Sequence, residues 1–186
     1  MGMIKEPDPV KRFCGAIYRD DKILAETRDI LVRKWGGTDL EAGPFPFSFT
    51  DYYQPEMGIG LKKYFFSFQG ILSPENAAEW KIETNDIEAR FVDTDGRRTI
   101  NLDCGYLELS RVVLLTTKNF YHRMYLARGI YAEVTLHFEK GVFAFFPWTY
   151  PDYKTKEYLQ FFREMREKYR KPMTKGNADC GLRIAE

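Results

Sequence analysis

Cysteine is scarce: Cys14, Cys104 and Cys180 are the only three among 186 residues. Odd in number and far apart, they lack the paired spacing of a disulfide framework or a zinc knuckle, and they point to a reducing cytoplasm. An excess of charge of one sign is lacking too. The chain has 28 basic against 27 acidic residues, and no basic stripe of the kind a long nucleic-acid backbone demands precedes the last helical segment. The longest apolar runs fall far short of the roughly 20 residues that cross a membrane. The opening MGMIKEPDPV has no apolar core of a secretory signal. The chain has no Walker-type phosphate loop, no internal repeat and no low-complexity run. Imidazoles are limited to His122 and His137.

Aromatics, in contrast, are plentiful: 15 Phe, 12 Tyr and 3 Trp. They imply an aromatic-rich core or a stacking surface for a ring-bearing ligand. The length suits one domain, expected over residues 1–170, with a loosely ordered tail over 171–186 where the apolar pattern fades.

Along the chain, KRFCGAIY (11–18) has little polar alternation and reads as a central strand. Asp20-Asp21 caps a helix that carries Ile23, Leu24, Thr27, Leu31 and Trp35 at helical spacing and stops at Gly36-Gly37. PFPFSFTDYY (44–53) reads as a Pro-punctuated strand that enters from a loop or lies at an edge, QPEMGIG as a loop, and KKYFFSF (62–68) as a strand. Ser73-Pro74 starts a second helix. TINLD, RVVLLTT (111–117), the hairpin 122–138 with its turn at Arg128-Gly129, and VFAFF continue as strands. Thr155 caps a last helix with Tyr158, Leu159, Phe162, Met165 and Tyr169 on its apolar face. These elements predict an α+β fold: a mostly antiparallel sheet, two long helices on one face and a C-terminal helix packed across it. A duplicated ferredoxin-like arrangement is one form that this order allows.

The unusual chemistry lies mostly between Ile100 and Tyr153. Asp103 precedes Cys104-Gly105, so it is expected at a strand end, either capping a Gly turn or serving as general base or metal ligand; Asn101 shares its face. Alternation from 130 to 138 places Tyr131, Glu133, Thr135 and His137 on one face, and Ala132, Val134, Leu136 and Phe138 on the other. The first set is a solvated surface or the floor of a polar cleft. Thr117 and Lys118 end a buried strand, where hydroxyls and a lysine can hold a phosphate. His122 and Arg123 follow, as proton donor and anion holder or as structural neighbours. Asp51 and Tyr53, with Trp148, Tyr150 and Asp152, set aromatics beside aspartates, suited to a planar base or sugar.

From these residues the expected function is a pocket for a small phosphate-bearing or nucleotide-like ligand, with hydrolysis as its candidate chemistry. Asp103 or Glu133 would be the base, His122 the acid, and a divalent metal a candidate cofactor. The competing reading is a non-catalytic interaction or scaffold module that uses 147–153 and the basic residues Arg163, Arg166, Lys168, Arg170 and Lys171. The oligomeric state is not readable from the sequence.

Several segments are distinctive in combination: FPFSFTDYY, EMG, NLDCGYL, LLTTKNFYHRMYL, GIYAEVTLHFEKG and PWTYPDY. Over about residues 7–165 the chain resembles the domain of unknown function 4416 family. It departs at Cys104, where that pattern has proline, which implies less local rigidity after Asp103. The resemblance implies no activity. The order β-α-β-β-α-β is also similar to one arrangement of the two-histidine phosphoesterases. The places comparable to their His-x-Thr pairs read Ser48-Phe49-Thr50 and either Asn101-Leu102-Asp103 or Glu133-Val134-Thr135. Without either histidine only the fold analogy carries over.

Overall fold

Lys11–Tyr18 (β1) is buried at every position, and it takes the place such a strand requires, with an antiparallel partner on each side. In this computed structural model residues 2–180 are described, the side chains of 172–180 excepted. After β1 come α1 (Asp21–Trp35), β2 (Thr38–Pro46), the single turn α2 (Gln54–Met57), β3 (Lys62–Phe68), α3 (Ala77–Glu88), β4 (Ile100–Leu107) and β5 (Arg111–Thr116). The chain continues with β6 (Met124–Ala127), β7 (Ile130–Glu139), β8 (Val142–Phe145) and α4 (Lys156–Cys180).

All eight strands join one antiparallel sheet in the order β2-β3-β1-β4-β5-β7-β6, with β8 beside the far half of β7. The first half is one β-α-β-β-α-β unit with spatial order 2-3-1-4, the ferredoxin-like connection. It is not duplicated. β5 to β8 form a meander with no crossover helix, turned at Arg128-Gly129, where both residues have positive φ as a two-residue hairpin needs.

Successive residues of a strand face opposite ways, so the two faces can be assigned. Cys14, Ala16 and Tyr18 pack with Leu31 and Trp35 of α1 and Trp80 and Ile87 of α3. Phe13 packs on the other side with Tyr158, Phe161, Phe162 and Met165 of α4. Thr155 accepts from the Tyr158 amide and opens α4 as expected. The helix runs through 171–180, where a tail was expected; residues 181–186 lie outside the described residues.

Four expectations need correcting. The edge strand is Thr38–Pro46 and not 44–53. Its polar residues are matched: Asp39 to Lys11 and Ser67, Glu41 to Arg28. The regular Phe45, Phe47, Phe49 spacing outlasts the strand, so Ser48–Thr50 lies outside it and no facing pair of the phosphoesterase kind forms. β4 runs on through Cys104-Gly105, so Asp103 is mid-strand and caps no turn. A bulge at Thr135 shifts the register, Val112 opposing Leu136 while Val113 opposes Val134. Leu136 and Phe138 therefore pack on the α4 side, on the face Glu133 shares, although strict alternation puts them with Val134.

Candidate functional site

β4 and β5 pair only where Gly105–Leu107 meets Val112–Leu114. Towards Ile100 they diverge, and the backbone that this leaves without a strand partner is met by side chains of α3. The Leu102 amide donates to Glu88 Oε1 at 2.8 Å, and Lys81 Nζ donates to the Leu102 carbonyl at 2.7 Å. Buried peptide groups need such partners, so the fork is built into the fold. It opens into a cavity of about 550 Å³, roofed by Phe47 and Tyr53 from one loop and by Tyr150 and Tyr153 from the segment before α4.

On the cavity floor, Lys63 Nζ donates to Asp103 Oδ2 at 2.7 Å and Asn101 Nδ2 to Asp103 Oδ1 at 2.9 Å. The lysine side chain has no exposed surface, while the carboxylate keeps 30% of its own. Gly15 makes this pair possible. It lies opposite Asp103 in the sheet, and a Cβ there would stand 2.8 Å from Lys63 Cε. Burial alone pushes the Asp103 carboxyl up, but Lys63 and Lys81 with the two hydrogen bonds outweigh it and hold the group below the usual carboxylate range. Asn101 Oδ1 in turn accepts from Arg98, whose guanidinium also binds Glu88 and grips Glu56 in bidentate fashion.

A second cluster surrounds Glu133. Arg123 Nε donates to its Oε2 at 2.7 Å and His122 Nε2 lies 3.2 Å from the same oxygen, all three side chains at least nine-tenths buried. Arg123 also donates to the Lys118 carbonyl and to the Tyr150 hydroxyl. Trp148 stacks on His122 at 5.0 Å, and its indole N–H donates to the Val134 carbonyl. Thr149 donates to the Thr135 carbonyl. The segment 147–153 thus fills the gap between β6 and β8 along β7, with Thr149, Asp152 and Tyr153 buried and Pro147, Tyr150 and Pro151 exposed.

Asp152 differs from both. It is 6% exposed and lines the cavity; its carboxyl is met by backbone N–H groups of Asp152 and Tyr153 and by no side chain among the described residues, while its carbonyl accepts from Thr155 Oγ1. Burial pushes its carboxyl above the usual value; Lys63 opposes this and Asp103 adds to it. The buried Tyr153 hydroxyl beside it meets no partner. At the mouth, Lys118 Nζ donates to the Tyr52 hydroxyl at 2.9 Å and sits 4.3 Å from that ring's centre.

Of the residues the sequence singled out, the fold brings Tyr53, Asn101, Asp103, Thr117, Lys118, Glu133, Tyr150 and Asp152 to this one cavity. His122, Arg123 and Trp148 stand behind Glu133 and do not line it. Asp51 turns away to an exposed bond with Gln54. Sequence reasoning missed Lys63, Lys81, Glu88 and Arg98. The one signal available was Gly15 within the apolar run FCGAIY, since a glycine inside a strand marks a close approach. Among the described residues no three His, Cys, Asp or Glu side chains gather to hold a metal ion, so the metal-ligand role of Asp103 or Glu133 finds no completed site there. No helix among them is long and apolar enough to cross a membrane.

No curated protein and no solved structure matches the chain. The family model described as Domain of unknown function (DUF4416) matches residues 8–169, and the chain belongs to that family.

Proposed function

We propose that the cavity binds a small phosphate-bearing or nucleotide-like molecule and hydrolyses it by general acid–base catalysis. The observation that carries this reading is a pair of carboxylates in opposite settings within one cavity: Asp103 held by Lys63 and Asn101, Asp152 buried without a side-chain partner. Two titratable groups driven apart in this way divide the base and acid roles between them. Asp103, kept charged, takes a proton from a water molecule as its oxygen bonds to the substrate. Asp152, whose burial raises its carboxyl above the usual value, is the group placed to give a proton to the leaving atom as that bond breaks. The acid role therefore moves from His122, which faces Glu133, to Asp152. Glu133 is engaged by Arg123 and His122 and shapes the wall. Lys118 and Thr117 at the mouth hold the anionic group.

The test is turnover of a panel of nucleoside monophosphates, nucleoside diphosphates and sugar phosphates, followed by chromatography. At least one member should be cleaved, and Asp103→Asn and Asp152→Asn should each slow it by about 100-fold or more. Cleavage of no member, or full activity in Asp103→Asn, sinks the proposal.

A further inference from the structure

The two edges of the sheet are built differently. β2 closes one edge with devices that discourage a further strand from pairing there. Pro44 and Pro46 lack an N–H, Asp39 and Glu41 place charge along it, and its register with β3 shifts twice. β6 closes the other edge with Met124-Tyr125-Leu126-Ala127, which holds neither proline nor charge, and all four residues are exposed. Phe120 and Tyr121, between β5 and β6, are exposed as well. Five large apolar side chains thus stand at least 40% exposed within seven residues. At about 200 Å² for a whole side chain of this size, they present roughly 600 Å² of surface. That is the upper end of what a monomer shows, and most of the roughly 800 Å² per partner that a stable pair buries.

Charge narrows what can cover this surface. His122 and Arg123 are turned inward to Glu133, and Arg128 is paired with Glu79. An acidic peptide or a nucleic-acid backbone therefore meets no unengaged cation within 120–128, and a basic partner meets no carboxylate there. A second copy of the chain fits. Its patch is equally uncharged, and a net charge of +1 gives two molecules little cause to repel. A twofold axis beside β6 sets the strand antiparallel to its own copy, which is a self-complementary and closed arrangement. Met124 lies beside Ala132 on the α1–α3 side of the sheet, and Tyr125 beside Tyr131 on the cavity side. Each then meets apolar surface of the copy on its own face.

We infer that the β6 edge, with Phe120 and Tyr121, is the interface through which two copies of the chain join their sheets. The register shift near Leu126 keeps the ladder between the copies short, so side-chain contact carries most of the association.

Sedimentation equilibrium of the full chain over about 1–300 µM tests this. The mass should rise from 21.9 kDa towards twice that value. The amides of Met124–Ala127 should gain protection from hydrogen exchange over the same range. Met124→Lys and Tyr121→Lys bring charge into the apolar contact and should each weaken association at least about tenfold, with the urea midpoint unchanged because both side chains are exposed. Ile59→Lys, at an exposed apolar position on the loop before β3, should leave association as it is. The exchange readout needs no substitution, so it decides even where a variant does not fold. A monomer at every concentration, a dimer that either patch variant leaves intact, an equal loss in Ile59→Lys, or a dimer without protection of the β6 amides overturns the inference. So does a monomer that binds phosphatidylcholine vesicles through Met124 and Tyr121, because the patch is then a membrane-surface contact.

Discussion

The sheet face turned towards α4 is built in two ways along its length. At one end β1, β3, β4 and β7 present Phe13, Phe65, Leu107 and Leu136, closed over by Phe161, Phe162 and Met165. At the other end the same strands present Gly15, Lys63, Asp103 and Glu133, closed over only by the aromatic roof of a cavity. Neighbouring positions on one strand, Lys63 and Phe65, thus belong to different chemistries. The packed end is held by contacts without direction, which tolerate no gaps. The open end is held by a few bonds with direction, each of which leaves a charge stranded when broken.

The largest effect should come from the packed end. Phe162 has no exposed surface and meets the rings of Phe13, Phe65, Phe143, Tyr153 and Phe161. Phe162→Ala should cost about 4 kcal/mol in urea unfolding, the sum of lost transfer energy and a cavity that so many rings cannot collapse into. A loss under about 1 kcal/mol would mean that α4 is less essential to this face than its burial says.

At the open end a single bond should matter almost as much. Lys63→Met keeps the volume but leaves Asp103 without its closest cation, at a cost of roughly 3 kcal/mol. The double change Lys63→Met with Asp103→Leu should recover most of that loss, because a stranded charge, not a missing contact, carries the penalty. If the double variant is as unstable as the sum of the singles, the two ends obey the same packing rule and the contrast between them fails.

That contrast also explains what could be read from the sequence. β1, α1, β3 and β7 came out at or near their observed limits because a buried strand or an amphipathic helix writes its periodicity in apolar residues that meet a broad surface. The site came out in fragments. Asn101, Asp103, Glu133 and Asp152 stand out by type, but Lys63 and Arg98 look like ordinary surface charges, and only the partners they meet across strands and loops give them a role. The bulge at Thr135 and the passage of β4 through Cys104-Gly105 were hidden for a related reason. Both depend on which residue of a neighbouring strand lies opposite, and local spacing does not encode that. Gly15 carried a signal that went unread: a glycine among apolar neighbours marks a close approach, though it does not say that Lys63 makes it.

The smallest expected effect separates the two carboxylates within the open end, and it is one of sign. Asp103 has its pKa lowered in the folded state, so its contribution to stability is present above the unfolded value of about 4 and is lost as pH falls through the lowered one. Asp152 has its pKa raised, so its contribution is present below about 4 and is lost as pH rises through the raised value. In urea unfolding at neutral pH, Asp103→Asn should therefore be less stable than the parent and Asp152→Asn more stable. Both differences should shrink as the medium is acidified, because protonation turns each parent carboxyl into a near-isostere of the amide that replaces it. If both variants shift the same way at neutral pH, the two groups do not sit in opposite settings, and the division of base and acid between them loses its physical ground.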